Sequence, residues 1–186
     1  ASTHPGEDER ALEAFAQLRE FAGDCLLVLV PRHPERFDDV YALCQRAGWQ
    51  VVRRSTGADP GPSTDILLGD TMGELLLLLG AASIAVIGGS LVERGGHNVL
   101  EPAAWGVPVV TGPHMFNFAQ ISELLTEAGA MLMLDDPDRL GDCLLELLQD
   151  PARCRHMAEA GRRVVADNRG AKQRLLELVA SDLVRK

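Results

Sequence analysis

Residues 88–114, from Gly88 to His114, read GGSLVERGGHNVLEPAAWGVPVVTGPH. The stretch follows the apolar run Ser83-Ile84-Ala85-Val86-Ile87, contains six glycines and two glutamates eight positions apart, and returns to a second apolar run, Val107-Pro108-Val109-Val110. That pattern predicts strand, glycine loop, short helix and strand. A loop so rich in glycine lets a ligand touch the backbone, and a helix opening just behind it offers unpaired N–H groups to an anion.

Working outward, the same alternation recurs along the chain. An amphipathic helix is expected from about Asp8 to Ala22, with Leu12, Phe15, Leu18 and Phe21 at helical spacing. Leu26 to Val30 is a continuous apolar run, the signature of a parallel strand buried on both faces. A helix from Arg36 to Ala47, a strand from Gln50 to Arg53, a strand from Asp65 to Leu68 and a helix from Leu75 to Leu79 follow. After the central stretch come a helix from Asn117 to Ala128, a strand from Ala130 to Leu134 and a helix from Pro137 to Gln149. Two further amphipathic helices are expected around Met157 to Val165 and Leu175 to Val179. The fold class is therefore α/β: one Rossmann-like parallel sheet of about six strands with helices on both faces, in a single domain over residues 1–186.

The net charge of −9 and pI near 5.0 argue against a general nucleic-acid surface. No uninterrupted apolar run approaches the roughly 18 residues of a membrane span, and the start carries no signal peptide. The four cysteines, Cys25, Cys44, Cys143 and Cys154, form no CxxC pair and read as reduced, buried thiols. His4, His33, His97 and His114 are spread over four loops without ligand spacing, so no metal site is expected, and no cofactor. The opening Ala1-Ser2-Thr3-His4-Pro5 lacks an initiator methionine and reads as a fragment cut at a domain boundary.

Every polar turn of interest lies at the carboxyl end of a predicted strand, where open α/β sheets bind ligands. Gly95-Gly96-His97-Asn98 precedes a helix expected from Val99 to Trp105, with Asn98 as its N-cap. Bare N–H groups at Gly96, His97 and Asn98 could cradle a phosphate without a basic surface. The stretch matches neither GxGxxG nor GxxxxGK[ST]. Carboxylates do not bind phosphate, so Glu101 reads as a ligand for a ribose diol, or else faces solvent. Glu93 either joins it or pairs with Arg94. His97 reads as an acid, a base or a phosphate ligand. In Pro31-Arg32-His33-Pro34-Glu35, Arg32 can meet a phosphate bidentately, against the plainer reading of a pair with Glu35. Gly73 and Glu74 divide between a ligand role and a capping box with Thr71. Glu7 divides between a helix-dipole partner and a ligand. Phe116 and Phe118 read as core or as a staple to the next helix rather than as a base-stacking platform.

At these residues the chain resembles a known family. Glu93 and Glu101 match the E-x7-E arrangement of the nucleotide-sugar-binding domain of GT-B glycosyltransferases. GGSLVERGGHNVLEPAAWGVPVVTGPHMFNF, with STHPGE, VPRHPERF and GDTMGEL in the same order, closely resembles bacterial 3-deoxy-D-manno-octulosonic acid (Kdo) transferases of lipopolysaccharide synthesis. The resemblance implies two Rossmann-like domains facing across a cleft, moving Kdo from CMP-Kdo to a lipid A precursor at the cytoplasmic face of the bacterial inner membrane. This chain would be the carboxyl-terminal, donor-binding half, soluble by itself. Its donor-binding residues would be Ser2, Thr3, Arg32, His33, Gly73, Glu74, Glu93, Gly95, Gly96, His97, Asn98 and Glu101. No catalytic residue is expected in this chain. The resemblance puts the base, an acidic residue, and the acceptor surface in an amino-terminal domain, so the isolated chain would be inactive. The alternatives are a GT-B transferase or epimerase with a UDP or GDP donor, and a binding module without catalysis.

Overall fold

The structure is a computed structural model that describes residues 1–168. The helix expected around Leu175 lies outside the described residues. Helix α1 (Glu7–Phe21) is followed by β1 (Leu27–Leu29), α2 (Phe37–Arg46), β2 (Val51–Arg53), β3 (Ile66–Leu68), α3 (Leu75–Gly80) and β4 (Ala85–Val86). Then come α4 (Leu100–Trp105), β5 (Val109–Thr111), α5 (Ala119–Glu127), β6 (Met131–Met133), α6 (Leu140–Gln149) and α7 (Pro151–Asn168). Every strand pairing is parallel. The α/β, Rossmann-like expectation therefore holds, and six strands are present among the described residues.

They do not form one sheet. The strands divide into two three-stranded ladders, ordered β1-β3-β2 and β4-β5-β6. This corrects the single continuous sheet read from the alternation. It also corrects the reading of β1 as buried on both faces: Leu29 is buried, but Leu27 and Val28 are half-buried and Leu26 is 40% exposed. A strand is covered on its edges as well as its faces only when both neighbours are present, and β1 has a ladder partner on one side alone.

Two-residue periodicity places successive side chains on opposite faces, and β5 shows it. Val109 joins a core with Leu79 of α3, Ala103 of α4, Leu125 of α5 and Ala160 of α7. Its neighbour Val110 points the other way, to Leu18 of α1 and Leu140, Leu144 and Leu147 of α6. Helix α1 serves both ladders, because Leu12 and Phe15 pack with Leu29, Ile66 and Leu68. Burying a side chain of this size contributes about 1.5–3 kcal/mol. The first turn of α1, with its acidic Glu7 and Asp8, is thereby pinned against the carboxyl ends of the strands.

Candidate functional site

The site is built around residues 1–8, which cross between the two ladders. Ala1 bonds to β4, donating its amino group to the Val86 carbonyl at 2.5 Å. Thr3 bonds to the end of β1, its N–H reaching the Val30 carbonyl at 3.0 Å and its carbonyl accepting from Arg32 N–H at 2.9 Å. Asp8 is buried and accepts from the Thr3 hydroxyl at 2.5 Å and from Arg36, whose guanidinium also reaches the Thr3 carbonyl at 2.7 Å. Ser2 and Thr3 are both buried here.

Glu7 is fully buried. One carboxylate oxygen accepts from His4 N–H at 2.8 Å and Gly89 N–H at 2.7 Å, and the other from Leu91 N–H at 2.9 Å. Neither reading of Glu7 anticipated this. It is the clamp that holds the start of the glycine loop onto the amino-terminal segment.

His4, His33 and His97, far apart in the chain, are brought together. His4 and His97 stack with ring centroids 5.1 Å apart and Nε2 atoms 2.9 Å apart, and His33 meets the edge of His4 at 5.5 Å. Burial, reinforced by the positive charges of His4, Arg32, the amino terminus and His33, pushes His97 down to about 4. Burial also lowers His4, opposed in part by Glu7. Two imidazoles at this distance share a hydrogen bond only if one nitrogen donates and the other accepts, and the lowering of both groups favours their neutral forms. An arriving anion would favour protonation of the pair, giving it a charge to meet that anion. Arg32 and His33 are exposed beside it, and Arg32 forms no side-chain ion pair among the described residues.

Gly95 and Gly96 take φ of +88° and +75°. A Cβ on Gly96 would lie 2.2 Å from the Met115 sulfur, so glycine is required there for both conformation and space. The Gly96 N–H is committed to the Gly89 carbonyl at 2.8 Å, which corrects the three-amide cradle expected from the sequence. His97 and Asn98 N–H remain, with no acceptor among the described residues. Asn98 is not the N-cap expected from the sequence: α4 opens at Leu100 with Val99 at the cap position and no side-chain cap, and Asn98, one residue earlier, accepts from Leu100 N–H at 3.0 Å while its amide donates to Glu101 at 3.0 Å. Glu101 is thus oriented, half-buried, in the first turn of α4. Asn117, which sequence reasoning passed over, ties the turn down: its N–H reaches the Gly95 carbonyl at 3.1 Å and its side chain the Arg94 carbonyl at 3.2 Å.

The remaining candidates stand apart from that contact network. Glu74 sits at the end of the β3 turn, bonded by Arg54 at 2.8 Å and by the Thr71 hydroxyl. The capping box read for Thr71 and Glu74 is absent, because neither side chain caps the backbone of α3. Those bonds hold the Glu74 carboxyl below the usual carboxylate range. Gly73 beside it has φ of +85°. Glu93 is exposed and forms no ion pair with Arg94. Phe118 packs on the core as expected. Phe116 does not: it is 64% exposed, with its ring edge over Gly95. Among the described residues no group of three His, Cys, Asp or Glu is arranged to hold a metal ion, and no helix is long and apolar enough to cross a membrane.

Comparison with known proteins adds to this geometry. The family described as "Glycosyl transferases group 1" matches residues 9–164. The 3-deoxy-D-manno-octulosonic acid transferase of Haemophilus influenzae is 45% identical over the whole chain, which covers 44% of that relative. The Bordetella pertussis enzyme of the same description is 43% identical over 95% of the chain and 42% of its own length. The chain thus spans less than half the length of these curated relatives. Among solved structures, the C-terminal CMP-Kdo binding domain of WaaA from Acinetobacter baumannii superposes with a TM-score of 0.83 at 38% identity, covering 88% of this chain and 86% of that one. WaaG, a glycosyltransferase of lipopolysaccharide biosynthesis, shares the fold at TM-score 0.59 and 17% identity.

Proposed function

The chain belongs to the group 1 glycosyl transferases, and on that premise we propose that it is the CMP-Kdo-binding domain of an enzyme that transfers Kdo to a lipid A precursor. The observation that carries the reading is the 38% identity, over 88% of the chain, to a domain described as binding CMP-Kdo. The domain spans residues 1–186 and works against a second, amino-terminal domain, at the cytoplasmic face of the inner membrane.

In this reading the phosphate of CMP lies at the His97 and Asn98 amides, within reach of Arg32, with Ser2, Thr3 and His33 in the surrounding wall and Gly95 and Gly96 shaping the turn. Glu101, oriented by Asn98, accepts from the ribose hydroxyls, with Glu93 nearby. Gly73 and Glu74 approach the nucleoside. Attack by the acceptor hydroxyl on the anomeric carbon of Kdo breaks the bond to the phosphate oxygen, which takes the electron pair. The leaving CMP therefore carries one more negative charge than it had in the donor. Arg32 and the two amides stabilise that growing charge, and the His4–His97 pair can meet it by taking up a proton. The hydroxyl proton goes to a base in the other domain, so this chain alone is inactive.

Calorimetric titration of the chain with CMP and with UDP tests the proposal. Measurable CMP affinity with UDP several-fold weaker is expected. Equal or tighter UDP binding would replace it with a different nucleotide-sugar donor.

A further inference from the structure

The proposed donor carries two negative groups on one carbon. In a CMP-linked ulosonic acid the anomeric carbon bears both the carboxylate and the oxygen of the phosphate. A crevice that holds the phosphate therefore meets a second anion directly beside it, in a chain whose own net charge is −9. Like charges brought together cost free energy unless a cation lies between them or beside each. Three arginines act on the histidine cluster of this crevice, and two of them are uncommitted. Arg36 is taken up by Asp8 and the Thr3 carbonyl. Arg32 and Arg94 are exposed and form no ion pair among the described residues, even though Glu93 adjoins Arg94 in the chain. Their charges reach different rings. Burial lowers His4, and the positive charges of His33, Arg94 and Arg36 add to it. On His97 burial is joined by His4 and Arg32. Arg94 thus stands on the His4 side of the stacked pair and Arg32 on the His97 side.

The backbone from which Arg94 projects is held. Its N–H reaches the Val92 carbonyl at 2.7 Å, and its carbonyl accepts from the Asn117 side chain at 3.2 Å. The Gly95 carbonyl accepts from Asn117 N–H at 3.1 Å, and Gly96 N–H is fixed on Gly89. Three residues separate Arg94 from His97, a span of at most about 10 Å in a fully extended chain, and the left-handed pair Gly95 and Gly96 folds it shorter. Arg94 therefore sits at one mouth of the turn whose other mouth offers the free His97 and Asn98 N–H groups. Phe116 stands over the same turn. A Cβ on Gly95 would lie 2.6 Å from its ring, yet the ring is 64% exposed, while Phe118 packs on the core. An aromatic face beside a few fixed polar groups is the make-up of a small-molecule subsite.

We propose that Arg94 binds the carboxylate of the donor's sugar, with the ring of Phe116 as the wall against which that sugar lies. The inference rests on the nucleotide-sugar reading above and adds to it the residue that tells an acid sugar from a neutral one. A guanidinium meets a carboxylate through two parallel N–H···O bonds, a match of shape as well as charge. Arg32 and the two free amides take the phosphate, and Arg94 takes the second anion on the neighbouring carbon. A neutral sugar leaves Arg94 without a partner and gains nothing from it. The carboxylate keeps its charge throughout the transfer, so this contact is made equally before and during reaction. Arg94 is thus a specificity residue whose loss raises KM for the donor with little effect on kcat.

The test is calorimetric titration of the chain and of its Arg94→Ala, Arg94→Lys and Arg32→Ala variants with two probes. One is freshly prepared CMP-Kdo; the other is the methyl ester of CMP, which keeps the phosphodiester and lacks the carboxylate. The wild type is expected to bind CMP-Kdo about tenfold tighter than the methyl ester. Arg94→Ala should abolish most of that preference and leave the methyl-ester affinity within about twofold, since a charge out of contact with the phosphate is largely screened. Arg94→Lys should restore part of the preference, as a point charge without the fork. Arg32→Ala should weaken both probes alike. An undiminished preference in Arg94→Ala overturns the proposal, as does an equal loss for both probes, which would put Arg94 on the phosphate. A wild type that binds the methyl ester without preferring CMP-Kdo overturns the sugar subsite and leaves the nucleotide reading standing. A wild type that binds neither probe overturns both.

Discussion

Replacing Glu7 separates a structural clamp from a surface helix-dipole partner by magnitude. A carboxylate in the first turn of an exposed helix is worth about 0.3–1 kcal/mol. Glu7 is instead fully buried and accepts three backbone N–H groups, from His4, Gly89 and Leu91. Each buried donor left without a partner costs about 1–3 kcal/mol. Glu7→Ala strands all three. Removing the buried charge and admitting water offset part of that cost, so a net loss of about 3–5 kcal/mol is expected. Glu7→Gln keeps the volume and one carbonyl oxygen. If that oxygen retains the bonds to His4 and Gly89, the amide NH2 opposes Leu91 N–H, for a loss of about 1–3 kcal/mol. Urea unfolding reads both values as shifts in midpoint at unchanged slope. Hydrogen exchange over residues 88–97 should accelerate in the same order, Ala before Gln. A loss under about 1 kcal/mol for Glu7→Ala, with loop exchange unchanged, would refute the clamp.

Other consequences are open to measurement. His97 is held at about 4 in the folded chain against 6.5 ordinarily, so the unfolded chain binds more protons between those values. Stability is therefore full above pH 6.5 and falls as pH drops toward 4, with a slope of up to about 1.4 kcal/mol per pH unit. Unfolding of wild type and His97→Asn across pH 5 to 8 should show the slope reduced in the variant, and identical slopes would contradict the assignment. Gly96→Ala meets both a positive φ and the Met115 sulfur at 2.2 Å, and should cost about 2–4 kcal/mol by thermal melting. Exposed Arg32 behaves oppositely: Arg32→Ala should change stability by less than about 0.5 kcal/mol while weakening CMP binding about tenfold or more in calorimetry.

The helices and strands were legible because their apolar spacing is local, and β5 shows it most simply, with Val109 and Val110 feeding opposite cores. What periodicity does not carry is whether two inner strands touch. Leu27 to Leu29 and Ala85 to Val86 read as equally apolar whether paired with one another or held in separate ladders. The donors and acceptors of the glycine turn were misjudged for a similar reason. The spacing of Gly89 and Gly96 does not reveal that one carbonyl consumes the other N–H. Glu7 was hidden because three acidic residues at a helix start are ordinary, and its burial depends on Gly89 and Leu91, more than eighty positions away. The convergence of His4, His33 and His97 likewise follows from topology, although each sits in a loop at the carboxyl end of the sheets.

The central claim, that this crevice holds the nucleotide of CMP-Kdo, is tested most directly by titrating CMP into the isotopically labelled chain and following backbone amides. The account predicts the largest shifts at His97, Asn98 and Arg32, with Glu101 following, and little change in α6 or α7. An intact spectrum in which those four amides stay still while CMP is added would contradict it.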